Sequence, residues 1–214
     1  MIRSSSSYTL ADQQHIVLDN VSWDLYEQLL SDLDGRPIRV TFDNGDLEMM
    51  APLPLHEKWK TRLGRLIEAM SEELDIDIEP LGSTTFRRED LSKGLEPDEC
   101  YYISHAASVR GKDELDLTVD PPPDLAVEVD ITHRSIRREP IYAALGVPEL
   151  WRFDGLHLKV LVLRDGTYDP SPTSTVFPFL RLTEFESFLL RLDSERQPTV
   201  VRDFRSWLRT LGFK

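Results

Sequence analysis

The run Pro123-Asp124-Leu125-Ala126-Val127-Glu128-Val129-Asp130-Ile131 places a buried strand near the middle of the chain. The prolines at 121–123 stiffen the entry. Leu125 to Ile131 is then close to continuously apolar, which suits a central strand covered on both faces. Two acids interrupt it. Glu128 and Asp130 are two residues apart, so on a regular strand they point to one face. Two carboxylates on an otherwise apolar strand are costly unless something compensates them.

Towards the C-terminus, Thr132 to Leu145 is predicted as a helix stopped at Gly146. Pro140 inside it predicts either a kink or a helix that begins nearby. Leu150–Phe153 and Leu158–Leu163 are predicted strands joined by a turn at Asp154-Gly155, with a further turn over Arg164–Tyr168. Leu182–Leu192 and Val200–Leu211 are predicted helices.

Towards the N-terminus, Cys100–Ile103 is a predicted strand, and 104–120 a surface loop. Asp75–Glu79 starts a strand, 83–88 continues towards a polar loop around Lys93-Gly94, and His56–Leu74 is an amphipathic helix with Trp59, Leu63, Leu66, Ile67, Met70 and Leu74 on one stripe. Pro52 and Pro54 close off a hairpin whose strands, Ile38–Phe42 and Leu47–Met50, meet at Asn44-Gly45. That pair supplies the positive φ of a primed turn. The hairpin is expected on one edge of the main sheet. Ser22 caps a short helix over Trp23–Leu30, and residues 1–20 form a loose lead-in. The expectation is an α/β or α+β fold around one mixed sheet flanked by helices. It is expected as a single domain over 1–214, with an N-terminal extension over 1–54, a core over 55–165 and a helical C-terminal extension over 166–214.

The chain has 214 residues, 40% apolar and 29% charged, with a net charge of −13. That supports a real core and argues against a protein that coats nucleic acid, which needs a basic footprint. A local basic face can coexist with an acidic remainder. No apolar run approaches the roughly 20 residues of a membrane span, and Met1 to Ser7 is followed by no apolar signal core. The lone Cys100 cannot form an internal disulfide, so a cytoplasmic setting is expected. There is no glycine-rich phosphate loop, zinc-ligand spacing or nucleophile elbow.

The remaining chemistry is carboxylate and guanidinium. Asp98 opens one strand and Glu128 and Asp130 lie on another, so together they can hold a hard divalent cation against a phosphodiester. Any one of these acids alone reads more simply as a solvated, turn or cap residue: Asp130, with Thr132, can cap the following helix. The set of three, with cations close behind, favours the metal. Those cations are Arg134, Arg137 and Arg138. Arg134 and Arg138 are four apart and share a face of the predicted helix. A surface ion-pair cluster is the alternative.

The pattern Pro97-Asp98, then Pro123-Asp124-Leu-Ala-Val-Glu128-Val, then Ile141-Tyr142-Ala-Ala-Leu-Gly146-Val-Pro-Glu-Leu-Trp151 resembles the Uma-type restriction endonuclease family within the PD-(D/E)XK nuclease superfamily. The resemblance implies a restriction-endonuclease-like core, an Mg²⁺ (or Mn²⁺) site, DNA as substrate and a homodimer. It makes Asp98 the first acid and Glu128 the second, with Asp130 beside them. The superfamily lysine falls at position 130, where this chain has aspartate. The alternative lysine position, four residues before the tyrosine, is Arg138. Lacking both, the chain has either a variant site using Asp130 and Arg138, with Arg134 and Arg137 on phosphate, or a degenerate nuclease fold serving as a metal- or partner-binding module. His56 and Glu57 stand where auxiliary acids often lie, and Lys58 or Lys60 is a candidate for the missing ammonium.

Overall fold

The structure, a computed structural model, describes residues 15–131 and 136–212. Its described elements run in the order β1 (His15–Leu18), α1 (Trp23–Asp32), β2 (Arg39–Asp43), β3 (Asp46–Met50), α2 (Pro54–Leu74), β4 (Glu79–Pro80), β5 (Phe86–Arg88), β6 (Lys93–Leu95), β7 (Glu99–Tyr102), α3 (Ala106–Val109), β8 (Leu125–Val129), α4 (Glu139–Leu145), β9 (Glu149–Phe153), β10 (Leu158–Arg164), β11 (Thr167–Ser171), α5 (Leu182–Arg191) and α6 (Gln197–Thr210). The result is a mixed α+β, restriction-endonuclease-like architecture.

The strands form two sheets where one was expected. The larger has the order β11-β10-β9-β8-β7-β4, and β8 with β9 is its parallel pair. The smaller has the order β1-β3-β2-β6-β5. The hairpin therefore covers no edge of the main sheet. It pairs with β6, because Phe42 and Asp43 register with Gly94 and Lys93. Lys93-Gly94, expected as a loop, is strand for the same reason: besides the nearby β5 it pairs with β2, which is distant in sequence. The hairpin turn itself follows expectation, with φ of 52° at Asn44 and 96° at Gly45.

β8 sits inside the larger sheet with every residue buried, as its composition requires. Its alternation divides the core. Leu125, Val127 and Val129 face α2, α5 and α6 in a cluster with Trp59, Leu63, Trp151 and Phe204. Ala126 faces the opposite cluster, with Cys100, Ile141, Tyr142 and Leu145, and with Phe86 and Leu95 of the smaller sheet. Glu128 continues the Ala126 side, so its carboxylate lies between the two sheets.

Helix boundaries moved where proline chemistry decided them. Pro54 occupies the first turn of α2, where its missing N–H costs nothing, so the helix starts earlier than His56. Pro140 does the same for α4, which begins at Glu139 and ends on Gly146 at φ 81°. The long helix expected from Thr132 is thus corrected: Ile136, Arg137 and Arg138 precede α4, and Arg138 is its N-cap. Residues 132–135 lie outside the described residues. Asp75 to Ile78 form no strand, since Asp75 closes α2 in the left-handed conformation. The 104–120 loop carries the short α3, and the turn expected over Arg164–Tyr168 narrows to Asp165-Gly166 between β10 and β11. No helix of the described residues is long and apolar enough to cross a membrane.

Candidate active site

Asp98 ends the loop before β7, next to β8. Glu99 registers with Val127, and the Asp98 amide donates to the Val127 carbonyl at 3.1 Å. Two residues on, the Val129 amide donates to Asp98 Oδ2 at 2.6 Å. The backbones at Asp98 and Glu128 are therefore neighbours. Both side chains are buried, at 0% and 2% exposure. The charges of Glu128, Arg138 and Asp98 all act on the Tyr142 hydroxyl, whose pKa burial first and Glu128 second push well up.

Each acid carries a guanidinium. Arg39, on β2 of the smaller sheet, donates to Asp98, to the Pro97 carbonyl at 3.2 Å and to Glu57 at 3.2 Å. His56, in the first turn of α2, completes this half. Its Nε2 is 2.9 Å from Asp98 Oδ2 and its Nδ1 3.3 Å from Glu57. Arg138 serves the other half. Its Nη1 donates to both Glu128 oxygens, at 2.8 and 3.1 Å, and to the Glu96 carbonyl at 2.9 Å. Its Nη2 donates to Thr41 Oγ1 at 3.1 Å, and Tyr142 donates to Glu128. Arg138 Nε is buried with no hydrogen-bond partner among the described residues. These are charge-assisted bonds in a buried setting, where an acid needs such partners.

Asp130 shares a cavity of about 460 Å³ with Glu128, Arg137, Arg138, Arg152 and Lys159. Its own partner is Arg152, whose Nε donates to Asp130 at 2.5 Å and whose Nη1 donates to Glu139. Arg152 and Lys159 follow from strand register, because Glu128 pairs with Arg152 and Arg152 with Lys159 across β8, β9 and β10.

The structure thus brings together Asp98, His56 and Glu57 around Arg39, and Glu128, Asp130, Arg137 and Arg138 around one cavity. Arg134 lies outside the described residues. Arg137 is exposed at the cavity rather than on a helix beside Arg138. Lys58 turns away to Asp193 at 2.7 Å. Lys60 flanks the site between Glu57 at 3.7 Å and Glu99 at 3.9 Å. Sequence reasoning missed Arg39, Thr41 and Arg152. The available signal for two of them was a lone arginine inside an apolar strand, at Ile38-Arg39-Val40 and Trp151-Arg152-Phe153.

A divalent cation can be tested against these donors. Asp98 and Glu128 offer only oxygen, the chemistry of a hard cation. Among the described residues no group of three His, Cys, Asp or Glu side chains could hold a metal ion. In the described arrangement, arginine compensates the carboxylate charge.

The Uma2 family model, described as "Putative restriction endonuclease", matches residues 23–193. No curated protein searched for similarity to the chain matches it.

Proposed function

The chain belongs to the Uma2 family, and from that membership we propose that it is an endonuclease hydrolysing phosphodiester bonds in DNA with the help of a divalent metal, Mg²⁺ or Mn²⁺. The observation that carries the reading is the buried pair Asp98, just before β7, and Glu128 on the adjacent β8, held by Arg39 of the smaller sheet and by Arg138 before α4 respectively. Asp98 and Glu128 would hold the ion, with Asp130 at the cavity's edge. Such an ion supplies electrostatic stabilisation to the charge that develops on phosphorus-bound oxygens.

The chain's own residues do the rest. Arg138 has a buried Nε without an acceptor beside the cavity, and a phosphate oxygen would satisfy it. Its fixed fork of donors suits that contact. Arg39 and His56 fix the Asp98 carboxylate, and Tyr142 fixes Glu128. Arg137 and Arg134 are the outer phosphate contacts in this reading. The protein acts as a homodimer in the cytoplasm.

A second reading has its own observation. Asp98, Glu128 and Asp130 each meet a guanidinium, and neither position 130 nor 138 is lysine. A fold that neutralises its acids internally can serve as a binding module without cleaving. Supercoiled and linear DNA incubated with Mg²⁺ or Mn²⁺ decides between the two. The nuclease reading expects cleavage that Asp98→Ala reduces at least about a hundredfold while the circular dichroism spectrum is kept. No cleavage by the unsubstituted protein on any DNA leaves the binding module.

A further inference from the structure

The candidate active-site cavity is electrically balanced: Arg137, Arg138, Arg152 and Lys159 face Glu128, Asp130, Glu139 and Asp154. It offers no strong attraction to a polyanion. A second groove differs. It lies between α2 and α6, has a volume of about 470 Å³, and is lined by Arg65, Arg202, Arg205 and Arg209 over an apolar floor of Pro198 and Val201. None of its lining residues is acidic, in a chain whose net charge is −13.

Three of these arginines lie at i, i+3 and i+7 of α6, so one helix face carries them. Nearby carboxylates answer only part of the charge. Arg209 Nε donates to Glu73 at 2.6 Å, Arg205 pairs with Glu72, and Arg65 reaches the same Glu72 at 3.9 Å. Arg202 is exposed and has no ion pair among the described residues. Three guanidiniums therefore share two carboxylates, and the fourth pairs with none among the described residues. Like charges along one helix face repel, and an anion laid across them removes that cost.

We propose that the α2–α6 groove is a docking site for a nucleic-acid phosphodiester backbone, separate from the cavity at Glu128. The ligand class rests on the nuclease reading. The geometry favours a polymer over a small ion. Arg202 to Arg209 spans roughly 10 Å of helix, the rise along a duplex axis of about three nucleotides of one strand at about 3.4 Å each. Planar guanidiniums bind phosphate through paired donors, and the apolar floor accommodates sugar. The groove would hold the backbone while the balanced cavity handles one phosphate.

The test is fluorescence anisotropy of a labelled 20-base-pair duplex in EDTA, where no cleavage interferes. Arg65→Ala/Arg202→Ala is expected to weaken binding at least about tenfold at low salt and to lower the slope of log K against log salt by about 2. Arg181→Ala/Arg164→Ala makes the same change in net charge elsewhere and is expected to leave both unchanged. Arg202→Gln, at an exposed position without an ion pair, keeps the test valid if the double variant misfolds; it is expected to lower the slope by about 1. Equal binding by the groove variants and the unsubstituted protein, or no binding by the latter, overturns the proposal. So does displacement by inorganic phosphate beyond its ionic-strength effect, which makes the groove a small-anion site. Failure of the nuclease reading would show separately, as absent cleavage with Mn²⁺ while groove-dependent anisotropy persists.

Discussion

Glu99 sits one residue from Asp98 but faces the other side of β7, where Lys60 is 3.9 Å away. Its side chain is 17% exposed. Burial pushes its pKa up to about 7, against the partial pull of Lys60. The folded protein thus holds this proton more tightly than the unfolded chain. The contribution favours the fold fully below about pH 4.5 and is lost as pH rises through about 7. Glu99→Gln is expected to raise stability at pH 8 by on the order of 2 kcal/mol and to change little at pH 4, as read from urea unfolding at both values. Glu128 was legible as a candidate because acids rarely interrupt apolar strands without cause, and Asp98 because it follows Pro97 at the opening of a strand. Arg138 was singled out as a nearby cation, but Arg39, the guanidinium partner of Asp98, was not legible. Arg39 and Asp98 are 59 residues apart, and no periodicity links a residue on one sheet to an acid on another.

At the level of elements, β6 shows how close packing fixes a strand that composition hides. A Cβ added to Gly94 would overlap the Tyr26 ring and hydroxyl more closely than real Cβ atoms approach anything. Tyr26 cannot withdraw, since it is fully buried and stacked on Phe42 at 4.9 Å. Gly94→Ala is expected to destabilise the protein by about 1–3 kcal/mol, seen as a lower denaturation midpoint at unchanged m-value. The same glycine made Lys93-Gly94 look like a loop, because a residue demanded by a neighbour's bulk carries no local strand signal. The long α2 and the Asn44-Gly45 hairpin were legible for the opposite reason: their helical stripe and turn are set by contiguous residues. The helix expected from Thr132 failed because Pro140 fits the first turn of α4 better than its middle.

For the whole molecule, metal binding separates a site that takes a cation from one whose acids keep arginine as their only counter-ion, without any substrate. A cation that binds only the folded state raises apparent stability, by about 2.7 kcal/mol at a hundred times its dissociation constant. If Asp98 and Glu128 hold the ion, 10 mM Mn²⁺ is expected to raise the melting temperature of the unsubstituted protein and not that of Asp98→Ala, and calcium is a useful non-cleaving comparison. A protein that keeps its arginines as permanent counter-ions shows no shift in either. The overall α+β class was legible from the order of the elements, but the division into two sheets was not, since strand order in a ladder depends on pairings between β2 and β6 that lie about 50 residues apart.

Arg39 and Thr41 belong to the smaller sheet, whereas Asp98 and Glu128 lie at or on strands of the larger one, and the two sheets share no strand. The cluster is thus a clasp closed by two separately hydrogen-bonded layers. Any loosening between those layers opens it while both ladders stay intact. Chemistry would then vanish at a gentler perturbation than secondary structure does, and the amide of Val129, tied to Asp98, is where hydrogen exchange would register the parting first.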